Sequence, residues 1–219
     1  TIQARELIRD ENLAATVENA VRGFYQMMDV IRVPTAAYIR ELSARGFPAD
    51  KMRLFPRGID ARQFSPRVGA EGFLRRKYKV PDGVNLMYAG RVSKEKDLDF
   101  LREVYLAVCR RRSDVNLFIV GDGPHRRVLE ASLGRGERVV FTGRIERDLL
   151  PDYYSGADLL VFPSTSDTFG MVVLEAQACG LPAMVSDRGG PQEIIVNHQT
   201  GMVARALDAG DWVAKLETW

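Results

Sequence analysis

From Val84 onward the chain alternates between two hydrophobic patterns. Short, predominantly apolar runs occur at 84–90 ("VNLMYAG"), 115–121 ("VNLFIVG"), 138–143 ("RVVFTG"), 158–164 ("DLLVFPS") and 182–187 ("PAMVSD"). Between them, segments over about 97–112, 147–155 and 170–179 read as helices, the first of them with apolar residues recurring every three or four positions. Continuous apolar runs suit strands covered on both faces, and the 3.6-residue period suits helices lying on them. With right-handed crossovers this predicts a Rossmann-like α/β fold, a doubly wound parallel sheet.

The pattern before Val84 is less regular. It predicts a polar helix at about 2–28, a strand at 30–34, a helix at 36–45, a strand at 52–58 and a helix near 69–78. Residues 1–45 carry too little apolar surface for a core of their own, so they are expected to pack against the sheet or against a part of the protein not included in this sequence.

Composition narrows the function classes. Across 219 residues, 31 Lys and Arg face 29 Asp and Glu, for a net charge of +2, so no global field draws in nucleic acid. Any anion must be bound locally. The runs Arg75-Arg76-Lys77 and Arg110-Arg111-Arg112 fall at predicted helix ends, where cations complement the helix dipole; contact with acidic phospholipid is the alternative. Cys109 and Cys179 both sit in apolar helical patterns and read as buried, reduced thiols of a cytoplasmic protein. No apolar run reaches the roughly 18 to 20 residues of a membrane span. A start at Thr1 and an end at Trp219 inside a helix-like stretch read as a piece of a longer chain.

In open parallel sheets the ligand crevice lies beyond the carboxyl ends of the strands, so the strand-to-helix loops are the places to search. "AGRVSKEKDLDF" follows Gly90 with Arg91 and Lys96, two cations able to grip a diphosphate from two sides, or simply surface charges. Within it, Asp97 and Asp99 form an Asp-x-Asp run, but Asp97 stands where a helix N-cap is expected. "VGDGPHRRVLE" places Gly121, Asp122 and Gly123 after a strand and Pro124 at a first helical position; the third glycine of a dinucleotide fingerprint is Arg126 instead. His125 reads as a surface histidine rather than a catalytic base. Thr142-Gly143 offers strand-end amides and carbonyls to a nucleobase edge, or only a turn.

"TSDTFGMVVLEAQACGLP" (165–182) holds the strongest signal. The first free amides of its helix are expected on Gly170, Met171 and Val172, a ready anion site. Glu175 then lies within reach of a ribose diol, and Asp167 on the far side of the anion. The alternative for Glu175 is favourable placement near a positive helix end. "DRGGPQEII" adds Gly189-Gly190 before a helix starting at Pro191.

Together these loops resemble those of the retaining GT-B glycosyltransferases of family four, often called group 1. The resemblance rests on "FPRGIDARQFSP", "YAGRVSKEKDLDFL", "VGDGP", "FTGRI", "SGADLLVFPSTSDTFGMVVLEAQACGLPAMVSDRGGPQEII" and "TGMV", in the family's order, over about 52–203. It implies transfer of a sugar from a UDP- or GDP-sugar with retention at the anomeric carbon, without a metal or other cofactor. It also implies that 46–219 is the C-terminal, nucleotide-sugar-binding domain, truncated at both ends, and 1–45 a remnant of the N-terminal GT-B domain with its linker.

By the same resemblance Arg91 and Lys96, after Gly90, match the diphosphate pair, and Glu175 the second glutamate of the Glu-x7-Glu motif, the ribose ligand. Asp167 stands where the first glutamate is usual, beside the transferred sugar. Thr168, Phe169, Gly170, Met171 and Val172 match the loop that meets sugar and phosphate; Arg144 and Ile145 match the nucleobase segment, and Gly121 and Asp122 a wall of the donor cleft. Arg57 replaces a frequent asparagine. The family's assisting histidine belongs to the N-terminal half and has no counterpart in His125 or His198. Arg91, Lys96 and Asp167 are therefore the expected catalytic residues. The expected partners are a nucleotide-sugar, the N-terminal domain of the same chain and an acceptor lipid or glycan, at the inner membrane face. A nucleotide-sugar-binding module without turnover is the alternative, because lacking the facing half this stretch is expected to be inactive alone.

Overall fold

A computed structural model describes residues 10–134 and 136–219. The chain forms two compact units, one ending at Arg57 and the other running from Gly58 to Trp219.

In the first unit, helix α1 (Glu11–Gln26) is capped by Asp10, whose carboxylate accepts from the amides of Asn12 and Leu13. Strand β1 (Ile31–Val33), helix α2 (Ala36–Ala44) and strand β2 (Met52–Leu54) follow, and the two strands pair in parallel, Ile31 opposite Met52. The part of the expected 2–28 helix within residues 1–9 lies outside the described residues. This unit has a small core, Ile31, Val33, Leu42, Phe47 and Met52, which residues 1–45 do not complete by themselves. Phe47 and Met52 lie beyond the 45/46 division, and β2 must stay with its partner strand. The compact unit therefore runs on to Arg57.

The second unit contains helix α3 (Phe73–Tyr78), strand β3 (Val84–Ala89), helix α4 (Leu98–Cys109), strand β4 (Val115–Val120), helix α5 (Arg126–Leu133) and strand β5 (Val139–Gly143). A 3-10 turn at Arg147–Leu149 leads into helix α6 (Leu150–Ser155), then strand β6 (Leu159–Phe162), helix α7 (Met171–Ala178), strands β7 (Ala183–Ser186) and β8 (Gly201–Ala204), and helix α8 (Ala209–Thr218). The six strands form one parallel sheet in the order β5-β4-β3-β6-β7-β8. Every residue of β4, β6 and β7 is buried, so inward and outward positions are both covered, as the predominantly apolar runs require. The Tyr88 and Phe162 rings stack across the β3/β6 junction at 5.9 Å.

The chain winds outward from β3 through β4 to β5, then returns to lay β6 against β3 and winds the other way. The junction between β3 and β6 is thus the topological switch point, where the loops leaving two neighbouring strands diverge and open a crevice. One local expectation shifts, and one strand joins those expected. The helix expected from Pro191 is one 3-10 turn, Pro191–Glu193, and the 201–204 segment is an edge strand too short to stand out as a separate apolar run.

Candidate functional site

The loops after β3 and β6 are tied to each other by consecutive residues. Asp97 Oδ2 accepts from both the amide and the hydroxyl of Thr165, each at 2.8 Å. The Ser166 hydroxyl donates to the carbonyl of Glu95 at 2.7 Å, and Lys96 Nζ lies 2.9 Å from Asp167 Oδ2. Asp167 Oδ1 accepts in turn from the amides of Gly170 at 2.7 Å and Phe169 at 3.2 Å.

Two expectations are corrected by these bonds. Asp97 does occupy the N-cap position of α4, but its carboxylate makes no cap bond; the residue is left-handed, with φ 55°, and its side chain turns to the neighbouring loop. The Gly170 amide is not free, because Asp167 is near enough to close a turn onto it, so the first amides of α7 open to a ligand are those of Met171 and Val172. Gly170 has φ +90°, and a Cβ there would meet the Pro191 ring at 2.9 Å, so the sharp entry into α7 requires glycine.

Next to this turn lies a cavity of about 520 Å³ whose lining includes Gly90, Arg91, Gly121, Asp122, Arg144, Ile145, Tyr154 and Val172. Its floor depends on close backbone approach: a Cβ on Gly121 would fall 1.9 Å from the Gly90 carbonyl oxygen. The Arg91 backbone is held from below, its carbonyl accepting from the buried Tyr88 hydroxyl at 2.8 Å. A larger cavity, about 780 Å³, lies at the α5/β5 flank against Arg127, Glu130 and Phe141, away from the strand-end loops.

Glu175 is the buried acid of the site, its side chain only 4 % exposed. Oε1 pairs with Arg147 Nη2 at 2.8 Å, and Oε2 accepts from the Tyr154 hydroxyl at 3.3 Å. Burial pushes the Glu175 carboxyl above its usual range, while the charge of Arg147 and the bonds from Tyr154 and Arg147 pull the other way. Two of the carboxylate's roughly four acceptor positions are used, leaving capacity for a ligand. Arg147 also lies over the Phe64 ring at 5.0 Å. Sequence reasoning missed Arg147 and Tyr154, because nothing local links the turn at 147–149 to a residue on α7.

The structure therefore brings Gly90, Arg91, Gly121, Asp122, Arg144, Ile145 and Val172 around one cavity. Lys96, Asp167, Thr168, Phe169, Gly170 and Met171 belong to the loops and turn beside it, and Glu175 lies a turn further along α7. His125 is not a surface residue: it is buried at the start of α5, its Nε2 2.8 Å from Asp99 Oδ1 and its amide bonded to the Val92 carbonyl. Helix α5 begins at Arg126, two residues after Pro124. The two carboxylates of the Asp97-Leu98-Asp99 run thus bond to different loops. Among the described residues no three His, Cys, Asp or Glu side chains gather in a metal-binding group.

The basic runs find partners within the fold: Arg75 with Asp82, Arg111 with Glu217 at 2.7 Å, and Arg112 with Asp114 at 2.7 Å. Cys179 is buried, its thiol pushed up to about 11 by burial, whereas Cys109 is only half-buried, contrary to expectation; both are free. No described helix is long and apolar enough to cross a membrane.

The family model of glycosyl transferases group 1 matches residues 72–219. The chain is 34 % identical over 203 residues to the sulfoquinovosyl transferase SQD2 of Arabidopsis thaliana, covering 90 % of this chain and 39 % of that protein. It is 33 % identical over 196 residues to a GDP-mannose-dependent alpha-mannosyltransferase of Mycobacterium tuberculosis, covering 89 % and 48 %. Among solved structures, Anabaena HepE in complex with UDP and glucose superposes with a TM-score of 0.81 at 22 % identity, covering 100 % of this chain and 59 % of that one. The chain spans about half or less of the length of these curated relatives, and the structural likeness shows a shared GT-B fold. By its family match over most of its length, the chain belongs to the glycosyl transferases group 1 family.

Proposed function

We propose that the chain is the nucleotide-sugar-binding half of a retaining glycosyltransferase that moves a sugar from a UDP- or GDP-sugar to an acceptor. The observation that carries this reading is a cavity at the switch point lined by Arg91 and by Val172 at the start of α7, with Lys96 held to Asp167 in the loops beside it and the buried carboxylate of Glu175 a turn further along the same helix. The printed names of two similar proteins agree with it, one being GDP-mannose-dependent and one binding UDP and glucose.

In this reading the nucleobase lies between Arg144-Ile145 and Gly121-Asp122, and the ribose diol donates to the free acceptor positions of Glu175. The diphosphate faces Arg91, Lys96 and the amides of Met171 and Val172. Asp167 and the Thr168–Gly170 turn face the transferred sugar. As the bond from the anomeric carbon to the diphosphate oxygen breaks, negative charge grows on the leaving group and positive charge on the sugar ring. The cations and the helix terminus are already in place to stabilise the former, so they lower the barrier without reorganising. Lys96 keeps two N–H donors beyond the one given to Asp167. These groups stand in for a metal, so the reading requires no cofactor.

The acceptor in this reading is a lipid or growing glycan at a cytoplasmic membrane face, held by a facing domain of the same polypeptide, of which the first unit is the end. The share of its relatives that this chain spans favours a corollary: these 219 residues bind the donor without turning it over. Calorimetric titration with UDP and GDP tests the reading. One of the two is expected to bind selectively, and Lys96→Ala to weaken it about tenfold. Indifference of the chain to both nucleotides would sink it.

A further inference from the structure

Three consecutive residues of the β3–α4 loop are matched to three consecutive residues of the β6–α7 loop: Glu95 to Ser166, Lys96 to Asp167 and Asp97 to Thr165. The bonds span 68 to 71 positions of sequence, so they are a tertiary feature made possible only by the adjacency of β3 and β6. Asp97 carries the heaviest structural constraint among them. It holds φ 55° and ψ 35°, a conformation that side chains other than glycine and a few short polar ones rarely adopt. Its carboxylate spends no bond on the helix behind it and two, each 2.8 Å, on Thr165. A residue in a costly conformation persists where its surroundings hold it.

We propose that Asp97 is the positioning residue of the phosphate-facing wall. By clamping the two loops together it holds Lys96 at Asp167 and at the entrance of α7, so that the ammonium is already aimed when a diphosphate arrives. Lysine is long and rotamer-rich, and ordering it only on binding costs affinity. Both its backbone neighbours are tied, the carbonyl of Glu95 to Ser166 and the side chain of Asp97 to Thr165, so the base of the lysine cannot drift. The inference rests on the proposed nucleotide-sugar site and adds a residue to it that does not itself touch the ligand.

The test separates clamping from general stability, because glycine is the residue best suited to φ 55°. Asp97→Gly is expected to keep or raise the melting temperature while weakening UDP or GDP binding about three- to tenfold. Asp97→Asn, which tolerates the same backbone conformation and still accepts from Thr165, is expected to bind within about twofold of the parent chain. In the Lys96→Ala background the Asp97→Gly change should have no further effect on affinity, since there is no ammonium left to aim. The inference is overturned if Asp97→Gly binds the nucleotide as tightly as the parent, or if its loss adds fully to that of Lys96→Ala. Failure of the parent chain to bind either nucleotide would instead remove the underlying site reading.

Discussion

Asp167 and Glu175 lie at the two ends of one turn-and-helix segment and in opposite surroundings. At the rim, both partners are partly wet: Lys96 is 18 % exposed and Asp167 23 %. At the floor the exposure is unequal, 4 % for Glu175 against 58 % for Arg147. Water screens the rim pair on both sides, and the backbone amides of Phe169 and Gly170 share the carboxylate. Glu175 has no such relief, and its ionised form depends on one arginine and one hydroxyl. The same pairing of acid and base is thus a solvent-screened one at the rim and an electrostatically dependent one at the floor.

The largest expected effect comes from removing the floor's charge. Glu175→Gln should weaken the preferred nucleoside diphosphate about thirtyfold, and the parent's preference for ribose over a 2′,3′-dideoxy analogue should vanish in calorimetric titrations. A variant that still prefers the ribose form would move the nucleoside grip elsewhere.

A smaller effect, with a distinctive pH signature, comes from Arg147→Met. Burial holds the Glu175 carboxyl above its ordinary range and Arg147 opposes this, so losing Arg147 lifts it further. Nucleotide affinity should then begin to fall at a higher pH on acidification than in the parent. Stability has the opposite slope: a carboxyl raised in the folded state binds a proton that the unfolded chain has already released. Its contribution is therefore full below the unfolded value and lost as pH rises through the folded one. Melting temperatures across about pH 4 to 8 should show that decline more strongly in the variant; superimposable profiles would mean that Arg147 does not govern Glu175.

Smallest is Tyr154→Phe. Its 3.3 Å bond to Oε2 is the longer of the two at Glu175, so affinity should fall only about two- to threefold. A loss as great as that from Glu175→Gln would put the tyrosine, not the arginine, in charge of the carboxylate.

Most of the sheet was legible from pattern. The strands at 84–89, 115–120, 159–162 and 183–186 are apolar nearly throughout, because a covered parallel strand has no solvated face to record in polar residues. The chemistry-bearing loops were legible for a related reason, since they fall where apolar runs end. Asp97 and His125 were misread because each reads locally as an ordinary helix-start or surface residue. Their partners, Thr165 and Asp99, are reached only through the fold. Residues 1–45 read as too poor in apolar surface for a core of their own, and the small core they join is indeed completed by Phe47 and Met52 from beyond that boundary.

What the amino-acid order determined by itself is local: which segments are strands, which loops carry cations and acids, and where glycine lets the backbone turn, all set by periodicities of a few residues. What only the tertiary structure decided is pairing across the switch point. Laying β6 against β3 brought residues 95–97 onto 165–167, and packing α6 by α7 gave Glu175 its arginine and tyrosine. Those bonds join positions 21 to 71 apart, where no helix or strand period reaches, so they exist only once burial of the central strands has drawn the loops together.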